Sequence, residues 1–222
     1  MKIMLYCPLY PARPRIHDAT QTSIEEMAWR DALTIVYGRE DMPAEIGYTN
    51  ILRKYQQARQ LALDGGFDAL FSVESDIILH PLALERLSRL ECDVACGLYV
   101  SRHTTRRWLS LTALDKCRGK SLSENPELAK HLWGGAVVTV GAGLGCTLIH
   151  RRVLEQIPFR KDEGGAACDW AFALDCQDKG FRTMHDLGVV CGHITGEGST
   201  LWPDIEAPNL YREEQYGKVP GN

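Results

Sequence analysis

Apolar positions along this chain follow two rhythms. From Thr49 to Asp64 they fall at Ile51, Leu52, Tyr55, Ala58, Leu61 and Ala62, spacings of three and four that predict an amphipathic helix. Gly65-Gly66 is its expected stop. Shorter apolar runs predict strands at Lys2–Cys7, Leu33–Tyr37, Phe67–Val73, Asp93–Leu98, Val137–Val140, Cys146–Ile149 and Val189–Cys191, the last of them ending at Gly192-His193. Between them the pattern predicts helices over Ser23–Asp31, Pro81–Leu90 (with proline at its start), Arg151–Gln156 and Asp169–Lys179, the last ended by Gly180.

Strands alternating with helices predict an α/β fold on a mostly parallel sheet. Pro8–Pro14 and Gly38–Gly47 read as loops, and residues 100–135 as polar and irregular. At 222 residues the chain is the size of one domain. We expect that domain over 1–199, with a C-terminal tail or covering arm at 200–222, which is polar and carries three prolines.

Composition narrows the options. Apolar content is 45% and charged content 24%, as in a soluble globular protein. A net charge of −4 counts against a general polyanion binder. One basic run, Arg102 to Arg107, reads either as a solvated loop or as a contact for an anionic substrate. None of the eight cysteines forms a CxxC pair, which leaves no spacing for a structural zinc site. Reduced, buried thiols are expected. The start shows no secretory pattern. The glycine-rich uncharged stretch Ala136–Ile149 is shorter than the ~20 residues a bilayer needs. No membrane span and a cytoplasmic location are the expectation.

Three places could carry chemistry. Glu74-Ser75-Asp76 closes the apolar run Phe67–Val73 and leads toward a helix. Open α/β sheets bind ligands at the carboxyl ends of their strands. Glu74 and Asp76, two apart, would point the same way in an extended strand. Two such acids suit Mg²⁺ or Mn²⁺, which commonly hold substrate phosphates; acids here also serve as loop residues or helix N-caps. His193, at a strand end before Thr195–Ser199, reads as a structural histidine or as a metal ligand beside Asp76. Asp169, at a helix start, reads as an N-cap or as a general base. Gly141–Gly145 is spaced G-x-G-x-G and precedes an apolar strand, so it is no dinucleotide fingerprint. It reads as a tight turn or as a close approach to a ligand. No Walker loop, GxSxG or HExxH is present.

In order, these features resemble the GT-A glycosyltransferases, near the family 2-like group and its small stand-alone bacterial and phage members. The resemblance rests on Ala58-Arg59-Gln60 before the Phe67–Asp76 run, Asp93–Tyr99, Gly141–Ile149 followed by Arg151–Leu154, Cys168–Phe172 with Lys179-Gly180-Phe181, and Cys191-Gly192-His193. It spans about residues 1–195. The chain departs from the pattern where Glu74 stands for the usual first Asp, Gln60 for an Asn, and Cys168 for the acid before Asp169.

The resemblance implies a GT-A, Rossmann-like mixed sheet, mostly parallel and flanked by helices. It implies transfer of a hexosyl-type sugar from a nucleoside diphosphate sugar, UDP first among the nucleotides, to an acceptor hydroxyl. Mn²⁺ or Mg²⁺ would be held by Asp76 and His193, with Glu74 a further ligand. Asp169 would be the base. Pro8, Tyr10, Arg59, Glu74, Ser75 and Asp76 would face the donor. Trp133, Gly143 and Trp170 would border the acceptor, which is open among a small molecule, a glycan, a protein and a modified DNA base. Arg102, Arg106 and Arg107 would lie on a loop over the diphosphate. A sugar nucleotidyltransferase, a metal-dependent phosphohydrolase and an inactive nucleotide- or sugar-binding module are the rival readings. Oligomeric state is open.

Overall fold

Strand β1 (Ile3–Pro8) buries every residue, and its alternation sorts the core into two layers. Ile3, Leu5 and Cys7 enter one apolar cluster. Met4 and Tyr6 enter another. A strand apolar on both faces belongs in a sheet covered on both sides. The computed structural model, which describes residues 1–9, 15–29, 31–39, 47–102, 107–114, 119–132, 134–161 and 168–203, has that arrangement.

The elements after β1 are α1 (Asp18–Glu25), β2 (Leu33–Gly38), α2 (Gly47–Asp64), β3 (Ala69–Val73), β4 (Ile77–Ile78), α3 (Ala83–Leu87) and β5 (Val94–Leu98). Then come β6 (Ser110–Leu114), β7 (Gly119–Ser121), a 3-10 turn (Leu122–Glu124), α4 (Pro126–Ala129), β8 (Ala136–Thr139) and β9 (Gly141–Ala142). The last are β10 (Cys146–His150), α5 (Arg151–Gln156), α6 (Cys168–Asp178), β11 (Thr183–Val190), β12 (Gly192–Ile194) and β13 (Thr200–Leu201).

The central sheet has seven strands in the order β2-β1-β3-β10-β5-β11-β8. β1 runs parallel to β2 and β3, and β5 parallel to β11. β10 is antiparallel to both its neighbours, and β8 to β11. Ile24 of α1 and Ala83, Leu84 and Leu87 of α3 cover one face. Tyr55, Ala58 and Ala62 of α2, Val153 and Leu154 of α5, and Phe172 and Cys176 of α6 cover the other. This is a mixed, mostly parallel α/β sheet flanked by helices, as the alternation predicted.

Several elements differ from the sequence expectation. The first helix lies at Asp18–Glu25 rather than Ser23–Asp31. The chain leaves it so that the Ala28 N–H can reach the Pro81 carbonyl (2.8 Å), while Met27 and Trp29 pack into the core. Residues 100–135 are not irregular. β6 pairs with β7 and β9 in a second small sheet. Trp108 and Leu122, both fully buried, centre a third apolar cluster with Leu98, Leu187 and Val190. The strand expected at Val189–Cys191 is longer and is not the last. β12 follows β11 and pairs with both β4 and β13.

Thr200 and Leu201 form β13, and Trp202 is buried. The rest of the expected tail, 204–222, lies outside the described residues. So do Tyr10, Arg106, Cys117 and Trp133. The seven described cysteines are free and buried. Among the described residues, no helix is long and apolar enough to cross a membrane.

Candidate functional site

β3 ends at Val73, and the chain then makes a hydrogen-bonded turn in which the Ile77 N–H donates to the Glu74 carbonyl (3.1 Å). Glu74 and Asp76 therefore occupy a turn and not an extended strand, and a short strand, β4, stands where a helix was expected to begin. That strand decides the site. β4 pairs antiparallel with β12, with His193 opposite Ile77. The Ile194 N–H donates to the Asp76 carbonyl (2.8 Å). His193 is thereby locked beside Asp76.

Both side chains are nearly sealed from solvent, Asp76 at 2% and His193 at 4% exposure. His193 Nδ1 donates to the Val100 carbonyl at 2.7 Å. A carbonyl only accepts, so Nδ1 carries a proton and Nε2 is the ring nitrogen left to face Asp76. Nε2 lies 3.7 Å from Asp76 Oδ1. Among the described residues, neither atom has a hydrogen-bond partner. A ring nitrogen facing a carboxylate oxygen in a buried site is satisfied by a proton or a cation between them. A backbone carbonyl orienting a histidine in this way is how metal-binding imidazoles are commonly held. Asp76 Oδ2 is taken by the Arg102 guanidinium. Among the described residues, no group of three or more His, Cys, Asp and Glu could hold a metal ion. The described residues offer two such ligand atoms here, Asp76 Oδ1 and His193 Nε2.

Glu74 and Asp169 complete an acidic cluster. Burial pushes the Glu74 carboxyl up to about 7; Asp76 and Asp169 add to the rise, while His193 and Arg102 oppose it. Burial would also raise Asp76, but the facing His193 and the Arg102 guanidinium bring it below its ordinary value. Asp169, in the first turn of α6, is raised by burial despite accepting the Trp170 N–H (2.8 Å). Glu74 is thus an acid held near neutrality.

A stability effect with a definite sign follows. A carboxyl whose folded-state pKa is raised destabilises the fold above that value, and the penalty vanishes below its unfolded pKa. Glu74→Gln should raise the melting temperature most at pH 8. Its advantage over wild type should shrink through pH 7 and disappear near pH 4.5, read by thermal melts in a metal chelator.

The other expected site residues are spread more widely. Pro8 ends β1 opposite Gly38 and is buried. Ser75 is buried within the acidic turn, and its carbonyl accepts the His17 N–H (3.1 Å). Arg59 is not at the acidic turn: its Nε donates to the Leu154 carbonyl (2.6 Å), tying α2 to α5. The Gly143 carbonyl accepts from Thr147 Oγ1 (2.9 Å), just before β10. Trp170 is half-buried and packs on Gly119 of β7, where a Cβ would come within 2.8 Å of the indole. Arg107 pairs with Glu124 (3.1 Å), while Arg102 reaches Asp76. Tyr99 escaped sequence reasoning, although its place just past the carboxyl end of β5 was a usable signal. It stands edge-on to His193, with ring centres 5.5 Å apart.

A seven-stranded mixed sheet with an acidic turn at the carboxyl edge is consistent with a Rossmann-like GT-A fold. No protein-family model matches the sequence, and no curated protein does. The crystal structure of A197 from STIV superposes with a TM-score of 0.59 at 18% identity, covering 96% of this chain and 94% of that one. At that identity the likeness is one of fold. A glycosyltransferase involved in the glycosylation of the major capsid of PBCV-1 matches with a TM-score of 0.40 at 11% identity. That match covers 70% of this chain and 63% of the other, and it carries no functional weight.

Proposed function

We propose that this protein is a glycosyltransferase that moves a sugar from a nucleoside diphosphate sugar, UDP-linked in the first instance, to an acceptor hydroxyl. The observation that carries the reading is the facing pair of buried, unpartnered atoms, Asp76 Oδ1 and His193 Nε2, at the carboxyl edge of the sheet. They suit one Mn²⁺ or Mg²⁺ whose remaining ligands are phosphate oxygens and water. When bound, that cation supplies charge stabilisation for the departing diphosphate.

The chain's own groups do the rest. Arg102, 36% exposed, lies at the rim of the site with its guanidinium against Asp76. A guanidinium at that rim is suited to meet a phosphate oxygen. The donor nucleotide would lie along the ends of β1 and β3, near Pro8 and Ser75. Asp169, raised toward neutrality by burial, is suited to take a proton from the acceptor hydroxyl. Trp170, beside Asp169, offers a flat apolar surface for an acceptor sugar ring.

Calorimetric titration of UDP, GDP and their sugar conjugates, each with and without Mn²⁺, tests this reading. One nucleotide should bind only with the metal present. If none binds under either condition, the reading fails.

A further inference from the structure

Tyr99 bonds the Gly143–Gly145 loop, stands against His193, and reaches the acidic turn through Gly145. Its side chain is almost completely buried, at 1% exposure. Its hydroxyl oxygen accepts the Gly145 N–H at 2.8 Å, and the Gly145 carbonyl accepts the Glu74 N–H at 3.2 Å. Its ring stands at 80° to the His193 imidazole, with centroids 5.5 Å apart. The next residue, Val100, supplies the carbonyl that fixes the His193 proton. The glycines are shaped to it: a Cβ at Gly143 would strike the Tyr99 hydroxyl, and one at Gly145 would come within 2.8 Å of the ring.

From this network we infer that Tyr99 is a positioning residue: its hydroxyl sets the Gly143–Gly145 loop and the acidic turn, and its ring sets the orientation of His193. The inference rests on the proposed metal site for its functional meaning, but not for its geometry. The two halves of the side chain do separate jobs. The hydroxyl acts through Gly145 on the backbone of Glu74. The ring blocks rotation of the imidazole away from Asp76. Gly143 and Gly145 are glycines because the tyrosine occupies the space of their side chains.

The test uses the full chain, labelled at histidine and glycine, as wild type, Tyr99→Phe and Tyr99→Leu, with His193→Gln to assign the His193 signal. Three quantities are read: the His193 imidazole resonance without metal, amide exchange at Gly145, and Mn²⁺ affinity by electron paramagnetic resonance. Tyr99→Phe should leave the His193 resonance in place and speed Gly145 exchange by roughly tenfold, the effect of losing one hydrogen bond. Tyr99→Leu should also displace the His193 resonance and weaken Mn²⁺ binding by about tenfold or more, as loss of a group orienting a metal ligand does. If leucine leaves resonance and affinity at wild-type values, or if phenylalanine and leucine change all readings alike, the inference is overturned. Absence of Mn²⁺ binding by the wild type would defeat the proposed function instead, and the resonance and exchange data would still decide the role of Tyr99.

Discussion

Asp76→Ala is expected to abolish metal-dependent nucleotide binding while leaving the fold intact. Asp76 Oδ1 and His193 Nε2 are the two facing, unpartnered atoms. Removing the carboxylate removes both the negative charge and one of the two ligands. Loss of a group that merely orients a ligand costs roughly 10–100-fold in metal affinity, so loss of the ligand itself should cost more than about 100-fold. Stability should fall somewhat, because the sealed carboxylate loses its pair with Arg102, but the alanine buries no charge and Arg102, 36% exposed, can be hydrated by water. Calorimetry of Mn²⁺ and the bound nucleotide, beside a thermal melt, separates the two effects. Retained metal-dependent binding in a folded Asp76→Ala protein would place the cation elsewhere. Asp76→Asn keeps the volume and removes the charge. It should behave like alanine if charge is what the site requires.

Arg86→Ala should cause the largest loss of stability among the ion pairs. Arg86 Nε and Nη2 hold both oxygens of Asp186, at 2.8 and 2.7 Å, and so join α3 to β11. The carboxylate is only 6% exposed and also accepts the Gly188 N–H at 2.9 Å. Alanine at 86 would leave that buried charge with one backbone donor. Breaking a buried pair from one side costs about 3–5 kcal/mol. Replacing both partners by apolar groups is often nearly neutral, so Arg86→Met with Asp186→Leu should recover most of the loss in urea denaturation. The pair sits where the register of β11 shifts, between Asp186 and Val190. The chain leaves that irregularity directly into Cys191, Gly192 and His193. Partial loosening of the site in the single variant is therefore expected alongside the lower stability. A loss below ~1 kcal/mol would show that packing, not the ion pair, holds α3 to the sheet.

Much of the framework was legible because it depends on local pattern. Phe71 and Leu70, like Leu148 and Ile149, are neighbours that go to opposite core layers. That is the period of a strand covered on both faces. The Gly65-Gly66 stop held because Gly66 adopts a φ of 63°, which other residues rarely take. The second sheet was hidden because it lacks a pattern of its own. β6 has a mixed burial sequence, and one of its partners, β9, is two residues long. Its existence depends on Trp108 and Leu122 finding apolar neighbours on β5 and β11. The displaced first helix has a similar origin, since Met27 and Trp29 gain more in the core than in another helical turn.

The sequence by itself determined the α/β class, the acids at the end of the third strand, and the identities of Asp76, Asp169 and His193 as candidates. Apolar periodicity and residue chemistry are local properties, and each can be read without knowing what lies opposite. Only the tertiary structure decided that Asp76 faces His193, that Arg102 takes the other carboxylate oxygen, and that Arg59 serves α5. Those outcomes depend on the pairing of β4 with β12, two short strands far apart in the chain. Pairing of that kind is chosen by the summed packing and hydrogen bonding of the whole sheet, so it leaves no signature in either segment alone.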